Sequence, residues 1–365
     1  MPLIKFRADY KLWALMIFAP FLWYSTCYVP IPSLKIPHSY HLDQPKLWPE
    51  KPALPITYAQ SIFHQNDSSS GYSSKPIAII GDTRASVANL GPSSRWPSLV
   101  SSIKAKQPIA LLHLGDWVQQ GTNLEQWQQT LHSLTLLGPI PLLTVRGNHD
   151  RGGLFEQLAF TPKPHSPLRI SRIGGILFFL MDSEVSTHLA QSTVRQLLSE
   201  IKSHAQEWSA EALSHQGIYA KVWVQHRPVW SSGNHGSDER GWRSWLVPAL
   251  ETLDIDLMLA GHDHDYERFC PSIGVDQDRV CDDQGVTYVV SGGGATVTVP
   301  FPNLSWKEPL SSKLQNNRHR IIFSDHPHFL TLKLDKGILD LQAWSTQYSG
   351  HSQLLDQVII HTKND

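Results

Sequence analysis

Short aliphatic runs recur along the chain from residue 76 onward, and they limit the folds open to it more than any other feature. The runs lie at residues 77–80, 109–114, 142–145, 176–181, 222–224, 255–259 and 287–290. Polar residues follow closely after each run, often with a glycine before them. Runs this short and this apolar are typical of strands that are buried on both faces of a sheet.

Longer segments between these runs have the apolar spacing of helices. They lie at residues 125–137, 192–208 and 241–253. Strands that alternate with helices indicate an α/β layered domain with its helices outside, and we expect the apolar stripes to be ordinary packing surfaces. Near the C-terminus, two strand-like stretches at 329–334 and 339–344 flank Asp335-Lys336-Gly337, which predicts a β-hairpin.

Five of the aliphatic runs end in side chains that can bind metal ions. The motifs are GDTR at 81–84, GDWV at 115–118, GNHD at 147–150, VQH at 224–226 and GHDH at 261–264. Open α/β sheets place their sites at the carboxyl ends of strands, so these motifs are expected to converge in one crevice. The candidate ligands are Asp82, Asp116, Asn148, His226, His262 and His264. Oxygen and imidazole donors together suit manganese, zinc or iron, whereas all-oxygen cages suit magnesium or calcium.

The composition favours one large catalytic domain and argues against a nucleic-acid partner. The chain has 365 residues, of which 41% are apolar, enough to bury a substantial core. Its formal net charge of -1 supplies no basic field for a phosphate backbone, so no stable nucleic-acid partner is expected. Bound metal ions would have to supply the positive charge that an anionic substrate needs.

The N-terminal segment, residues 1–27, is predicted to be a signal peptide. Basic residues precede an apolar run at 12–24 that is short for a membrane span; they are Lys5, Arg7 and Lys11. An uncleaved membrane anchor is the alternative, so the expected location is periplasmic, extracellular or membrane-anchored. Residues 28–75 are rich in proline and serine and are predicted to form a tether with little core.

The three cysteines have different predicted fates. Cys27 follows the apolar run and is either a lipid attachment site or an incidental thiol. Cys270 and Cys281 are close enough in sequence to close a short loop, and an exported protein meets an oxidising compartment. A disulfide between these two is favoured over two free thiols.

The sequence resembles the calcineurin-like metallophosphoesterase superfamily, and within it the purple-acid-phosphatase-like branch. The motifs that carry the resemblance are GNHD at 147–150, HRPVWSSGNHG at 226–236, GHDHDYER at 261–268 and TYVVSGGGA at 287–295. The resemblance covers residues 76–361, the predicted catalytic domain. It implies a four-layer α/β sandwich, in which two mixed β-sheets lie between helices and hold a dinuclear metal centre.

The resemblance also implies how the ligands are shared between two metal positions. Asp116 would bridge both ions. Asp82 and His264 would complete the first metal position. The second metal position would be completed by Asn148, His226 and His262.

Two departures from the family pattern affect the first metal position. Many members place a histidine where this chain has Arg84, and a guanidinium donates hydrogen bonds without ligating. The purple enzymes have a tyrosine where this chain has Gln119. The first metal position is therefore one protein ligand short, to be filled by water or Gln119. A coloured ferric-tyrosinate centre is not expected.

The function that the resemblance implies is hydrolysis of a small-molecule phosphomonoester. Two divalent or trivalent ions of manganese, iron or zinc would direct in-line attack by a metal-bound hydroxide. His149 or His235 is expected to protonate the leaving group, unless each is only hydrogen-bonded in a loop or orients a ligand. Arg84 is expected to hold the substrate phosphate, with a structural pair to a carboxylate as the alternative. Phosphodiester or nucleotide pyrophosphate hydrolysis is the runner-up function, and a non-catalytic metal-binding protein is a more distant alternative.

Other residues of the motif loops have structural alternatives. Asp150 and Asp263 either orient histidines or cap turns. Three tryptophans are expected to pack in the core or on the surface, with a role in lining a substrate groove as the alternative; they are Trp117, Trp230 and Trp242. The glycines at 292–294 lack a following Gly-Lys-Ser pattern, so a tight loop beside the site is expected.

Overall fold

A computed structural model describes the backbone of residues 57–58 and, in full, residues 75–84, 93–138, 140–155, 167–294, 319–346 and 350–363, apart from the Gln277 side chain. The predicted signal peptide, the Cys27 thiol and nearly all of the predicted tether lie outside these ranges, so those predictions stay untested. In the described part of the chain, no helix is both long and apolar enough to cross a bilayer.

The described ranges form strands in two large sheets and one small one. In chain order the strands are β1 Thr57–Tyr58, β2 Ile77–Ile80, β3 Ala110–His113, β4 Leu142–Thr144, β5 Leu168–Ile173, β6 Ile176–Met181, β7 Ala220–Val224, β8 Leu257–Ala260, β9 Tyr266–Phe269, β10 Ser272–Ile273, β11 Val280–Cys281, β12 Thr287–Ser291, β13 Arg320–Ser324, β14 His328–Asp335, β15 Ile338–Thr346 and β16 Ser352–His361. The helices are α1 Trp96–Ala105, α2 Leu124–Leu134, α3 Thr187–Ser203, α4 Ala210–His215 and α5 Arg243–Thr252, with 3-10 turns at Thr135–Leu137 and Asp276–Asp278.

Both large sheets are mixed, as the resemblance implied. One has the strand order β1-β5-β6-β7-β8-β12-β9-β13, and the other has the order β16-β15-β14-β2-β3-β4. Strands β6, β7, β8 and β12 are parallel, as are β2, β3 and β4. The flanking pairs are antiparallel, except that β1 pairs parallel with β5. Every residue of β2, β3, β6, β7, β8 and β12 is buried, which confirms the prediction of strands buried on both faces.

Three apolar cores separate four layers. The central core joins the two large sheets, with Ile79 and Leu330 from one and Phe178 and Leu259 from the other. A second core lies between the eight-stranded sheet and helices α3, α4 and α5. A third packs α1 against the six-stranded sheet. The four-layer α/β sandwich is therefore confirmed.

The predicted helices are present, with both boundaries of α3 shifted towards the N-terminus. Helix α3 begins at Thr187 rather than at residue 192, because the Ser186 side chain accepts the Leu189 N–H at 3.3 Å and caps the helix. It ends at Ser203 rather than at 208, because the His204 ring binds the Glu200 carbonyl at 3.0 Å. Helix α1, which the sequence did not predict, starts with a proline in its first turn.

The hairpin and the disulfide are both confirmed. Strands β14 and β15 pair antiparallel over their lengths, and Lys336 and Gly337 have the positive φ angles, 46° and 71°, of a tight two-residue turn. Cys270 and Cys281 form a disulfide with Cα atoms 5.7 Å apart. The bond joins the residue after β9 to the last residue of β11, which pairs antiparallel with β10.

Candidate metal centre

The candidate ligands lie in the loops that follow five strands: β2, β3 and β4 of one large sheet, and β7 and β8 of the other. Asp82 follows β2 and Asp116 follows β3, and the Asp82 N–H donates to the Gly115 carbonyl at 3.0 Å. Asp82, Asp116 and His262 all have φ angles between 56° and 76°, a backbone region that residues other than glycine rarely occupy. Such backbone is typical of functional sites that the surrounding structure holds in place.

The second metal position brings an imidazole nitrogen close to two side-chain oxygens. The Nδ1 atom of His226 lies 2.8 Å from the Leu114 carbonyl, which only accepts, so Nδ1 carries the ring proton. In the neutral ring, its Nε2 atom presents a lone pair 3.0 Å from the Asn148 Oδ1 atom and 3.4 Å from an oxygen of Asp116. A nitrogen and two oxygens in this arrangement fit a divalent cation.

His262 completes this side of the centre. Its backbone N–H donates to Asp82 at 3.0 Å, and its ring lies edge-on to that of His226 with centroids 5.0 Å apart. Asp82, Asp116 and His226 are buried, and each offers one donor atom within 4.8 Å of the others. The structure thus brings the donor atoms of Asp82, Asp116 and His226 together, whereas a donor atom of His262 groups with His235 and Glu239.

An arginine lies among the candidate ligands of the first metal position. The Nε2 atom of His264 lies 3.7 Å from an oxygen of Asp82. The guanidinium of Arg84 donates from Nε to Asp116 at 3.2 Å, and its Nη2 atom lies 3.3 Å from His264 Nε2. Its Nη1 atom donates to the side-chain oxygen of Gln119. Gln119 thus contacts Arg84. Arg84 also pairs with the carboxylate of Asp116, which is the alternative role that the sequence left open.

The electrostatics of the centre favour a bound cation. Burial, and then the neighbouring Asp116, raise the pKa of Asp82 well above its usual range. Burial, and then Arg84, lower the pKa of His264 to about 3, and burial also lowers the pKa of His262. Deprotonated imidazoles beside crowded carboxylates are the states that bind metal ions, and a cation would relieve the repulsion.

Two carboxylates outside the ligand set fix the loops. Asp150 is buried and accepts four backbone N–H groups at 2.8–3.3 Å, from Asp116, Trp117, Val118 and Gly147. It therefore caps the turn that carries Asp116. Asp263 accepts the His235 N–H at 2.7 Å and a hydroxyl from Ser231, and so holds the loop of His235.

The two candidate proton donors lie on different sides of the centre. His149 is 26% exposed, with Nδ1 2.9 Å from the Gln119 carbonyl and Nε2 4.0 Å from an oxygen of Asp116. His235 is 44% exposed, and its ring lies over that of His262 with centroids 4.1 Å apart. Burial lowers the pKa of His235. Both imidazoles are partly exposed and lie beside candidate ligands.

Sequence reasoning missed a second polar group beside His262. The Nε2 atom of His262 lies 2.8 Å from Glu239 and 3.1 Å from Arg227, and Arg227 also binds Glu184 at 2.7 Å. Together, His235, Glu239 and His262 form another set of donor atoms within 4.8 Å of one another. The only signal in the sequence is the spacing of Glu239, four residues after His235.

A buried histidine beneath the centre was also missed. Gly115 N–H donates to Nδ1 of His113 at 3.1 Å, so the other ring nitrogen carries the proton and donates to Thr83 at 2.9 Å. This neutral ring ties the loop of Asp82 to the loop of Asp116. Its signal in the sequence was weak, because a histidine inside an aliphatic run resembles an ordinary core residue.

The remaining motif residues pack around the centre. The three tryptophans of the motif loops are buried, which confirms packing over groove lining; they are Trp117, Trp230 and Trp242. Residues 292–294 form a tight loop beside the site, as expected. A Cβ atom at Gly292 would lie 2.1 Å from the Asp263 carbonyl and 2.8 Å from Asp82.

Comparison with known proteins gives one family and several similar folds. The family model of the calcineurin-like phosphoesterase matches residues 75–266. Purple acid phosphatase PPD1 from yellow lupin (Lupinus luteus) seeds has a TM-score of 0.59 and 20% identity, over 80% of this chain and 55% of that one. This chain thus spans about half the length of the lupin enzyme. Comparison with curated protein sequences finds no match.

Two further structures share the fold. GAP50, described as the anchor in the inner membrane complex of Plasmodium, has a TM-score of 0.52 and 14% identity, over 79% of this chain and 89% of that one. PhoD has a TM-score of 0.52 and 10% identity, over 80% of this chain and 70% of that one. At these identities the likeness concerns the fold alone.

Proposed function

We propose that this chain, which belongs to the calcineurin-like phosphoesterase family, hydrolyses phosphate monoesters at the candidate metal centre with two metal ions. Residues 75–266 belong to a metal-dependent phosphoesterase domain by family. The preference for monoesters, the number of ions and the role of each residue are the proposal. The observation that supports it most is the convergence of His226, Asn148 and Asp116, with His226 Nε2 lying 3.0 Å from Asn148 Oδ1 and 3.4 Å from an oxygen of Asp116.

The proposed ligands follow the two metal positions. Asp82, His264 and the bridging Asp116 would hold the first ion, and the second would also use Asn148, His226 and His262. Manganese, iron and zinc suit this mixture of oxygen and nitrogen donors. When bound, a pair of such cations clamps a phosphoryl group and lowers the pKa of a water molecule.

Charge favours a monoester over a diester. Two divalent cations and Arg84 would outweigh the charges of Asp82 and Asp116, which leaves the centre positive. A phosphate monoester carries nearly two negative charges at neutral pH, whereas a diester carries one. The planar fork of Arg84 can donate two parallel hydrogen bonds to phosphate oxygens. Its side chain is 13% exposed, so part of it reaches the mouth of the site.

A panel of esters tests this function. The purified protein is assayed on p-nitrophenyl phosphate, bis(p-nitrophenyl) phosphate and a nucleotide pyrophosphate, with added manganese and with a chelator. We expect kcat/KM at least tenfold higher for the monoester, loss of activity with the chelator, and recovery with manganese. Faster turnover of the bis ester or the pyrophosphate would support the runner-up function. No chelator-sensitive activity on any ester would favour a non-catalytic protein.

His149 is the favoured proton donor to the leaving group. Its Nδ1 proton is directed at the Gln119 carbonyl, so the proton for the leaving group would come from Nε2 of the imidazolium form, on the side of Asp116. His149→Ala should lower kcat about 10²-fold or more on phenyl phosphate, whose leaving group is strongly basic. The loss on p-nitrophenyl phosphate should be much smaller, because nitrophenolate leaves without a proton. If His235→Ala shows this dependence on the leaving group and His149→Ala does not, the assignment moves to His235.

Export stays a prediction that the disulfide supports. A bond between Cys270 and Cys281 is stable in an oxidising compartment, as outside the cytoplasm. Fractionation of cells that express the full chain, followed by mass measurement of its N-terminus, would test both export and cleavage of residues 1–27. Recovery of the uncleaved chain in the soluble cytoplasm would contradict the proposal.

A further inference from the structure

The two positions at which the chain departs from the family pattern contact each other in the centre. Arg84 donates a hydrogen bond to Gln119 through Nη1. The same guanidinium reaches Asp116 through Nε at 3.2 Å and His264 through Nη2 at 3.3 Å. Three of its nitrogens therefore contact three residues around the first metal position. Asp116 and His264 are two of the three ligands proposed for that position.

A guanidinium in this place opposes a metal ion there. It keeps its positive charge throughout the range of pH at which the protein works, and it has no lone pair to offer a cation. An imidazole nitrogen that accepts a hydrogen bond from Arg84 cannot ligate a metal at the same time. At separations near 4 Å, two positive charges near a protein surface repel strongly. A metal ion can enter the first metal position only after Arg84 withdraws from His264 and Asp116.

The second metal position is arranged differently. Its arginine neighbour, Arg227, is balanced by two carboxylates, since it binds Glu184 at 2.7 Å and also donates to Glu239. Arg227 contacts the Nε2 atom of His262 at 3.1 Å, so His262 would ligate an ion through its other ring nitrogen, Nδ1. The Nε2 atom of His226 faces the oxygens of Asn148 and Asp116, and no guanidinium of the described residues lies between them.

We propose that the two metal positions differ in affinity and fill in a fixed order. The second metal position binds its ion tightly, and the first takes up a weaker, exchangeable ion because Arg84 competes for its place. The inference rests on the metal centre of the proposed function and adds its order of loading. The chain would therefore carry one resident ion and would need a higher free metal concentration for the other.

A titration of the metal-free full chain with Mn²⁺ tests this order. The electron paramagnetic resonance signal of free Mn²⁺ reports binding without any substrate. The wild-type chain should bind one ion tightly and a second with a Kd at least tenfold higher. Asn148→Ala should remove the tight class, which would identify it with the second metal position.

Substitutions of Arg84 test whether this residue causes the weak binding at the first metal position. Arg84→Met removes the charge and keeps the bulk, so the Kd of the weak ion should fall at least tenfold while the tight one is unchanged. A spin-coupled manganese pair should then appear at two equivalents. Arg84→Lys keeps the charge, and Gln119→Ala keeps the arginine, so both should retain two distinct classes. Arg84→Gln provides a second neutral variant if Arg84→Met does not fold.

Two results would overturn the inference. One is equal affinity for both ions in the wild-type chain. The other is an unchanged Kd of the weakly bound ion in both neutral variants of Arg84. Thermal unfolding of each variant establishes that the comparison is between folded proteins. Since the titration uses no ester, two affinity classes without hydrolysis of any ester would contradict the proposed function alone.

Discussion

Among single residues, Gly147 shows how closely the backbone approaches the candidate ligands. A Cβ atom at this position would lie 2.1 Å from Oδ1 of Asp116 and 2.3 Å from its backbone nitrogen. Both distances are far below van der Waals contact. The glycine in the GNHD motif is therefore required by space, since any side chain would displace the carboxylate that is proposed to bridge two ions.

Gly147→Ala should damage the centre without unfolding the protein. We expect kcat/KM for p-nitrophenyl phosphate to fall at least 10²-fold, because a shift of about 1 Å in a catalytic group can cost that much. Metal content measured by mass spectrometry should fall with it. Gly153→Asn is the matched control: no atom lies within 4 Å of a Cβ there, and asparagine tolerates its φ of 84°. Unchanged metal content in Gly147→Ala would contradict this account.

Single residues also mark where sequence reasoning failed. Asp82 and His226 could be proposed as ligands from their motifs, because each follows an aliphatic run. Glu239, Arg227 and His113 could not, because their roles depend on partners that are distant in sequence. Arg227 lies inside the HRPVWSSGNHG motif, yet only its contacts with His262 and two glutamates show that it belongs to the site.

Among the elements, strand β14 carries a buried histidine into the centre of the fold. His328 is fully buried at the start of β14, where it lies 3.0 Å from the Ser291 hydroxyl and 2.8 Å from the His326 carbonyl. Burial lowers the pKa of His328 from 6.5 to about 4. The folded state thus releases this proton more readily than the unfolded state does. The stability that the neutral ring contributes is fully present above pH 6.5 and is lost as the pH falls from there towards 4.

His328→Gln should remove that dependence on pH. Between pH 7 and pH 4 the wild-type chain should lose about 3 kcal/mol more of its free energy of unfolding than the variant does. Urea unfolding at several pH values measures the difference, with His351→Gln at an exposed position as the control. Parallel curves for the wild type and His328→Gln would show that this histidine does not titrate as described.

The β10–β11 ribbon is a second element whose stability can be tested. The disulfide closes a loop with a sequence separation of 11 around strands that are only two residues long. Replacing both cysteines with serine should lower the free energy of unfolding on the order of 3 kcal/mol, by the loop-entropy account. Reduction of the wild-type bond should have a similar effect, and metal content should stay the same. An unchanged unfolding curve for the double variant would contradict the prediction.

At the scale of the whole molecule, the C-terminal strands complete the fold that the N-terminal motifs need. Strand β14 pairs with β2 through Leu330 and Ile79, so it borders the strand that carries Asp82. The last three strands supply large apolar side chains to the central core; they are Leu330, Leu332, Leu334, Leu339, Leu341 and Ile360. At about 2 kcal/mol for each buried side chain, their contribution is comparable with the entire stability of a typical domain.

Two truncated chains test this dependence. Residues 75–363 should fold with a cooperative unfolding transition, in line with the predicted domain at 76–361. Residues 75–266, the span that the family model matches, should not fold, because β12 and the last three strands are missing. Circular dichroism during thermal unfolding measures both. A cooperative transition in the shorter chain would show that the C-terminal strands are dispensable.

The sequence by itself determined the layered α/β fold, the strands and the six candidate ligands, because these depend on local patterns. Apolar runs set burial, and the residues after them reach the edge of a sheet whichever strands are its neighbours. Only the tertiary structure decided what surrounds those ligands. The contacts of Arg84 with Gln119 and His264, and of His262 with Glu239, join segments 23 to 180 residues apart. Such pairings depend on the order of strands in two sheets, which no local pattern specifies.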